Sequence, residues 1–152
     1  TQGGLSRLQE LLDKHDPIII ILELGGNDGL RGLPLTLMKD NLDRMLAMIT
    51  KRKIKVLLVG MELPPNYGKF YTQQFNDIYA KLADKYQIPL VPFMLDGIAT
   101  RKDLMQEDGI HPKANAQRQV LNNIWPKLKQ LLPELKLSEN RQIDFMRVVN
   151  HL

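Results

Sequence analysis

Two short polar segments of this sequence combine residue types that could carry out acid–base chemistry. In the first, Asp108 and His111 stand three residues apart within Asp-Gly-Ile-His-Pro. On a tight turn, such an aspartate can hold one imidazole nitrogen while the other nitrogen points into a crevice, which is the acid and general-base half of a catalytic triad. The alternative is that Asp108 only caps a turn and His111 is a surface histidine. The pair alone does not decide between these interpretations.

The second segment is Gly-Gly-Asn-Asp-Gly at residues 25–29. Its glycines permit positive φ and a close approach of the backbone to another group. The neutral amide of Asn27 can donate a hydrogen bond to a developing oxyanion without titrating. The alternative is an ordinary turn between a strand and a helix, because Asn and Asp both tolerate left-handed geometry. Both interpretations stay open on this motif alone.

The elements around these segments alternate between helical periodicity and short β-branched runs, which predicts an α/β fold with a parallel sheet covered by helices. Strands are predicted at residues 17–24, 55–60 and 88–92, and helices at 4–15, 35–52, 70–86 and 112–132, the last starting at Pro112. Segment 25–29 directly follows the most apolar strand. In open α/β sheets, chemistry gathers beyond the carboxyl ends of the strands, so both polar segments are predicted to lie at a functional edge.

Composition excludes several classes of protein. The 152 residues fit one domain, assigned here to 1–132, followed by a tail at 133–152 that we expect to be helical. The net charge of +4 comes from scattered residues, which argues against nucleic-acid binding. No apolar run reaches the ~20 residues of a membrane-spanning helix. The absence of cysteine excludes a disulfide scaffold and a thiolate nucleophile.

Together and in this order, the two motifs resemble blocks III and V of the SGNH, or GDSL, hydrolases. The likeness also includes Leu-Pro-Pro-Asn-Tyr-Gly at 63–68 and extends to about residue 132. It is strongest to the bacterial enzymes of acyl-CoA thioesterase, lysophospholipase and arylesterase type. The resemblance implies a flavodoxin-like three-layer α/β/α sandwich with a parallel sheet. It also implies hydrolysis of small acyl esters or thioesters by a Ser-His-Asp triad, without a metal or cofactor.

The resemblance assigns roles to particular residues. It makes Asp108 the triad acid, His111 the triad base and Asn27 a donor of the oxyanion hole. It further implies that two loops contact substrate, through Gly26, Asp28, Gly29, Leu30, Arg31, Leu63, Pro64, Asn66 and Tyr67. For residues 63–67, a rigid proline-rich turn is the structural alternative.

The family's nucleophile motif, Gly-Asp-Ser-Leu, is absent. The chain has two serines, Ser6 within a predicted helix and Ser138 in the tail, and neither follows a strand. We therefore expect a C-terminal part of a longer hydrolase that lacks its first strands, with the nucleophile on a preceding segment and with the edge of strand 18–24 unpaired. A truncated pseudoenzyme and a domain-swapped oligomer are the alternatives.

Two other functions compete with the hydrolase. A metal-dependent phosphoesterase would need several converging ligands, and only His111 is suitably placed. A non-catalytic binding protein on the same fold would explain the missing serine. Relatives in the resembled family are exported, so a periplasmic or secreted location is expected.

Overall fold

A parallel sheet lies at the centre of the protein. The computed structural model describes residues 1–132 and the two-residue strand at 146–147. Within these residues the strand order is β3-β2-β1-β4 and every neighbouring pair is parallel. The strands are β1 (Ile19–Glu23), β2 (Lys55–Val59), β3 (Leu90–Val91) and β4 (Met146–Arg147).

Helices cover both faces of the sheet. The α-helices of the described residues are α1 (Gln2–His15), α2 (Gly26–Leu30), α3 (Leu35–Lys51), α4 (Lys69–Tyr86) and α5 (Gln117–Lys129). Short 3-10 helices span Pro65–Tyr67 and Ala114–Ala116. Helices α1, α3 and α4 share one apolar core on one face, and α5 packs on the other face. The predicted three-layer α/β/α arrangement is confirmed.

The strands are continuously apolar because both of their faces are buried. In β2, Val56 and Leu58 belong to the core under α1, α3 and α4, whereas Leu57 and Val59 belong to the core under α5. All four side chains are at most 1% exposed. Burying each such side chain contributes about 1.5–3 kcal/mol, so the central strands provide a rigid base for the loops that follow them.

Two predictions about the end of the chain need correction. The last helix begins at Gln117 and not at Pro112, because Pro112 instead forms a bridge with Met105 and the backbone at Lys113 is extended. In the predicted helical tail, residues 146–147 are a strand; the rest of the tail lies outside the described residues.

The edge of β1 is also not free along its whole length. Ile20 and Ile21 pair with Met146 and Arg147 of β4. The prediction of an unpaired edge is therefore wrong at these two positions, where the strand is paired by a segment that the sequence pattern assigned to a helix.

Candidate active site

The sheet topology brings the predicted functional loops to one edge. Helix α2 follows the carboxyl end of β1, and the 63–67 segment follows the carboxyl end of the neighbouring strand β2. The Asp108–His111 turn lies in the connection from β3 to α5. The middle of α5 is held beside the chain just beyond β3, since the Asn123 side chain donates hydrogen bonds to the carbonyls of Met94 and Asp96.

The Asp108–His111 turn pairs a carboxylate with an imidazole. His111 Nδ1 lies 2.7 Å from Asp108 Oδ2. The other carboxylate oxygen, Oδ1, accepts hydrogen bonds from the main-chain nitrogens of Ile110 at 2.9 Å and His111 at 3.0 Å. The side chains of Asp108 and His111 are 42% and 44% exposed. The pair is thus held together at the surface, where a substrate can reach it.

These hydrogen bonds keep the Asp108 carboxylate ionised. The hydrogen bond from the His111 side chain, assisted by the two main-chain N–H groups, lowers the pKa of Asp108 to about 2. An ionised carboxylate can only accept, so the proton of the neutral ring sits on Nδ1. Nε2 of His111 is then left with its lone pair, as a general base requires.

The chain around the turn is fixed by main-chain contacts. Gly109 adopts φ +67, a conformation that favours glycine, and its nitrogen donates to Gln106 O at 3.0 Å. Gln106 N in turn donates to His111 O at 2.8 Å. Hydrogen bonds among residues 106–111 therefore hold the turn and position the ring of His111.

Asn27 lies in the first turn of α2, directly beyond β1. Gly25 precedes the helix with φ +117, which allows the chain to turn sharply out of the strand. The Asn27 side chain is partly buried, and within residues 1–132 its amide has no hydrogen-bond partner. Its N–H groups are therefore available to a ligand at the sheet edge.

Asp28 is buried and turned into the protein, in contrast to the predicted substrate contact. It is 4% exposed, and its carboxylate accepts hydrogen bonds from the main-chain nitrogen of Thr1 and, at 2.7 Å, from Thr1 Oγ1. Asn41 Nδ2 donates to the same Thr1 hydroxyl at 3.0 Å. The geometry gives Asp28 a structural role, which is to tie α2 to the start of α1 and to α3.

Gly29 and Leu63 are likewise packed inside the fold. A Cβ atom on Gly29 would lie 2.6 Å from the Phe75 ring and 2.7 Å from a Leu63 methyl group. Leu63 is 8% exposed. These two residues shape the base of the loops and, as placed, are not open to direct contact with a substrate.

The remaining predicted contact residues are accessible. Arg31, Pro64 and Asn66 are exposed, whereas Gly26, Leu30 and Tyr67 are partly buried. The Tyr67 hydroxyl donates to Leu30 O at 2.8 Å, so the loop after β1 and the loop after β2 are joined directly.

Ser6 is the one serine among the described residues, and it lies on α1. Ser6 is exposed on α1, and its hydroxyl donates to Gly3 O at 3.0 Å within the same helix. Ser138 lies outside the described residues. Among the described residues, no group of three or more His, Asp or Glu side chains is arranged to hold a metal ion, and no helix is long and apolar enough to cross a membrane.

Sequence reasoning missed several residues that position the site. Thr1, which binds Asp28, and Asn41, which donates to Thr1, belong to no motif. Tyr71, Phe75 and Tyr79 lie in the predicted helix 70–86 without a predicted role, although they recur at a regular four-residue spacing. That spacing was the available signal.

Comparisons with known proteins identify a family of hydrolases. Residues 1–119 match the GDSL-like Lipase/Acylhydrolase family. Esterase TesA of Pseudomonas aeruginosa is 45% identical over 130 residues, which are 86% of this chain and 65% of that protein. An arylesterase of Vibrio mimicus is 45% identical over 77% of this chain and 58% of its own length. Thioesterase 1/protease 1/lysophospholipase L1 of Escherichia coli is 40% identical over 88% of this chain and 62% of its own length. The chain thus spans less than two thirds of these relatives.

Solved structures show the same fold. A crystal structure of TesA aligns with a TM-score of 0.83 at 45% identity, covering 86% of this chain and 73% of that one. The psychrotrophic esterase EstA from Pseudoalteromonas aligns with a TM-score of 0.80 at 33% identity, covering 86% of this chain and 72% of that one. The flavodoxin-like sheet of the prediction is therefore shared with solved esterases.

Proposed function

This chain belongs to the GDSL-like lipase/acylhydrolase family, and we propose that it supplies the acid, the base and one oxyanion donor of an enzyme that hydrolyses carboxylic esters and thioesters. The observation that supports this most is the 2.7 Å contact between Asp108 and Nδ1 of His111, which leaves Nε2 free as a base. Asn27, in the short helix that follows β1, offers a side-chain amide that no other residue of 1–132 bonds.

The reaction would follow the usual course of a serine hydrolase. Nε2 of His111 takes the proton of a serine hydroxyl as that oxygen attacks the acyl carbon, and the Asn27 amide donates to the oxyanion that forms. The imidazolium then gives its proton to the departing alcohol or thiol. A water molecule, deprotonated by the same imidazole, releases the acid and restores the serine.

The nucleophilic serine would lie on a segment that precedes Thr1. Two observations support this: Ser6 is bonded within α1, and the matched relatives extend well beyond the part that this chain aligns with. The relatives' names favour a small acyl ester or thioester as substrate and a role in lipid metabolism. By resemblance to exported relatives, the enzyme would work in the periplasm.

The test is an assay of the natural open reading frame, including any codons upstream of Thr1. The chain alone and the extended protein would be assayed on p-nitrophenyl butyrate and on an acyl-CoA thioester. The proposal expects hydrolysis by the extended protein only. An extended protein that folds cooperatively but hydrolyses neither substrate would contradict it and would favour a binding protein on this fold.

A further inference from the structure

The end of the molecule opposite the candidate site is rich in lysine. Helices α1, α3 and α5 end there, and strands β1 and β2 begin there. Arg52 Nη2 lies 2.6 Å from Asp13 Oδ1, which joins the end of α3 to the end of α1. The main-chain nitrogen of Lys55 donates to Ile18 O at 3.1 Å, and Lys55 Nζ lies 3.5 Å from Leu131 O. Segments far apart in the sequence therefore meet at the amino ends of the strands.

We call this end of the molecule the basic pole, and its cations are Lys14, Lys51, Arg52, Lys53, Lys55, Lys127 and Lys129. Two acids, Asp13 and Asp16, lie among the described residues of the same helix ends. Seven cations against two acids give a net charge of +5, which exceeds the +4 of the whole chain. The end of α4 does not change this balance, because Asp84 offsets Lys85. Folding thus collects at one pole an excess of positive charge that is scattered along the sequence.

Most of these cations are open to solvent. Within residues 1–132, no ion-pair or hydrogen-bond partner binds the exposed side chains of Lys14, Lys51, Lys53, Lys127 and Lys129. A lysine in the last turn of a helix interacts favourably with the helix dipole, which accounts for such cations one at a time. The dipole does not account for Lys53, which lies beyond the last turn of α3, or for the excess of cations over acids. The contacts of the described residues therefore leave the charge of the pole largely uncompensated.

We propose that the basic pole adsorbs the protein to a membrane surface that contains anionic phospholipid. Such a surface is a plane of negative charge, and each lysine close to it strengthens binding about five-fold. Lysine suits this diffuse attraction because its compact ammonium needs no fixed geometry, whereas arginine is favoured for bidentate recognition of nucleic acid. Six of the seven cations are lysines, and the one arginine, Arg52, is bound to Asp13.

The position of the pole also orients the adsorbed protein. Asn27 and the connection that carries the Asp108–His111 turn follow the carboxyl ends of β1 and β3, whereas the pole lies at the amino ends of the strands. Adsorption through the pole therefore leaves the candidate site facing away from the membrane. The proposal does not depend on hydrolysis, because it concerns the opposite end of the fold.

The first measurement is co-sedimentation with lipid vesicles of the protein that carries its natural upstream segment. Vesicles of phosphatidylcholine alone are compared with vesicles in which about a third of the lipid is phosphatidylglycerol. We expect binding to the anionic vesicles only. We also expect this binding to be lost between about 0.1 M and about 1 M salt, where the Debye length falls from about 10 Å to about 3 Å. Absence of binding, equal binding to both kinds of vesicle, or binding that survives the higher salt would overturn the proposal.

The second measurement locates the binding at the pole. The pole variant combines Lys14→Gln, Lys51→Gln and Lys129→Gln, with one substitution at the end of each of α1, α3 and α5. Its partition coefficient on the anionic vesicles should fall by roughly 100-fold. Arginine at the same three positions keeps the charge and should keep the binding.

A matched control removes the same amount of charge elsewhere. It combines Lys39→Gln, Lys69→Gln and Lys102→Gln, which are exposed lysines outside the pole. Its partition coefficient should stay within about two-fold of the parent value, because charges farther from the membrane than the Debye length are screened. Equal losses in the two triple variants would overturn the role of the pole.

One further substitution tests the pole if the triple variant does not fold. Lys53→Asn suits the backbone at this position, where φ is 59, because asparagine tolerates positive φ. It should weaken binding to the anionic vesicles about five-fold, and unchanged binding would contradict the proposal. Tighter binding to a DNA duplex than to these vesicles would overturn the lipid assignment and would identify the pole as a nucleic-acid site.

Discussion

The two halves of the candidate site are built in opposite ways. The Asn27 segment is held by the rest of the protein. Its buried Asp28 accepts a hydrogen bond from Thr1, and the Tyr79 hydroxyl donates to Leu24 O just before the segment. The Asp108–His111 turn is held by itself, through hydrogen bonds among residues at most five apart, and both side chains are over 40% exposed. The position of Asn27 therefore depends on the integrity of the core, whereas that of the Asp108–His111 pair depends on local geometry.

This difference separates two kinds of mutational effect. Substitutions in the exposed turn should change chemistry and leave stability almost untouched. Substitutions next to Asn27 should change stability first, because they leave buried polar groups without partners. The predictions below test that contrast in the protein with its natural upstream segment, from the largest expected effect to the smallest.

Replacing the base should have the largest effect on rate. His111→Ala removes the group that accepts the serine proton, so kcat for p-nitrophenyl butyrate should fall by roughly three orders of magnitude or more. The melting temperature should stay unchanged because the side chain is half exposed. His15→Ala, at the exposed end of α1, is the matched control and should retain full activity. A loss smaller than ten-fold in His111→Ala would rule out the triad assignment.

Removing the oxyanion donor should have the next largest effect. Asn27→Ala deletes one preorganised hydrogen bond to the transition state, which typically costs ~10²–10³ in kcat. KM should change little, because the interaction is made as charge develops and not in the ground state. Steady-state kinetics separate the two parameters, with the exposed Asn122→Ala of α5 as control. If only KM changes, Asn27 positions the substrate and does not stabilise the oxyanion.

Replacing Asp28 should lower the free energy of unfolding. Asp28→Ala leaves the buried Thr1 hydroxyl without its acceptor, so urea unfolding should show a loss of about 1–3 kcal/mol. Asp40→Ala, on the exposed side of α3, is the control and should stay within about 0.5 kcal/mol of the parent. Asp108→Ala should likewise leave the unfolding midpoint in place. Equal losses in Asp28→Ala and Asp108→Ala would remove the contrast between the two halves.

The smallest effect concerns the titration of Asp108. Its pKa of about 2 lies below the ~3.9 of an unfolded chain, so the small stabilising contribution of this solvent-screened pair is present above that pH and is lost as pH falls towards 2. NMR titration of the Asp108 carboxyl should give a midpoint near 2 in the parent and in His15→Ala. In His111→Ala the midpoint should rise but remain below 3.9, because the main-chain donor at Ile110 stays in place. An unchanged midpoint would show that the imidazole is not the main cause of the lowered Asp108 pKa.

Sequence patterns predict the layers of the fold and the Asp108–His111 turn better than they predict the buried surroundings of Asn27. Hydrophobic periodicity predicts α3 and β2 to within one residue, because their apolar spacing reflects burial directly. The Asp-x-x-His spacing is a local signal, and the turn is held by local hydrogen bonds. The resemblance places Asp28 among the substrate contacts, whereas the structure buries it against Thr1. Asn41, which donates to the same Thr1 hydroxyl, belongs to no recognisable motif.

Two errors at the end of the chain have different physical causes. Pro112 favoured a helix start through its fixed φ, but the bridge to Met105 keeps the chain extended there, and a tertiary contact of this kind has no sequence signature. The 146–147 strand pairs with β1, and the apolar residues around it fit a helical period as well as a strand. A pattern so short does not distinguish a helix from a strand.

The most direct test of the account is to find the residue that a fluorophosphonate labels. The protein with its natural upstream segment would be treated with the reagent and digested, and the modified peptide identified by mass spectrometry. The account predicts one labelled serine, N-terminal to Thr1, and loss of labelling in His111→Ala but not in His15→Ala. Labelling of Ser6, or labelling that persists without the His111 imidazole, would contradict the claim that this chain provides the base for a serine on the preceding segment.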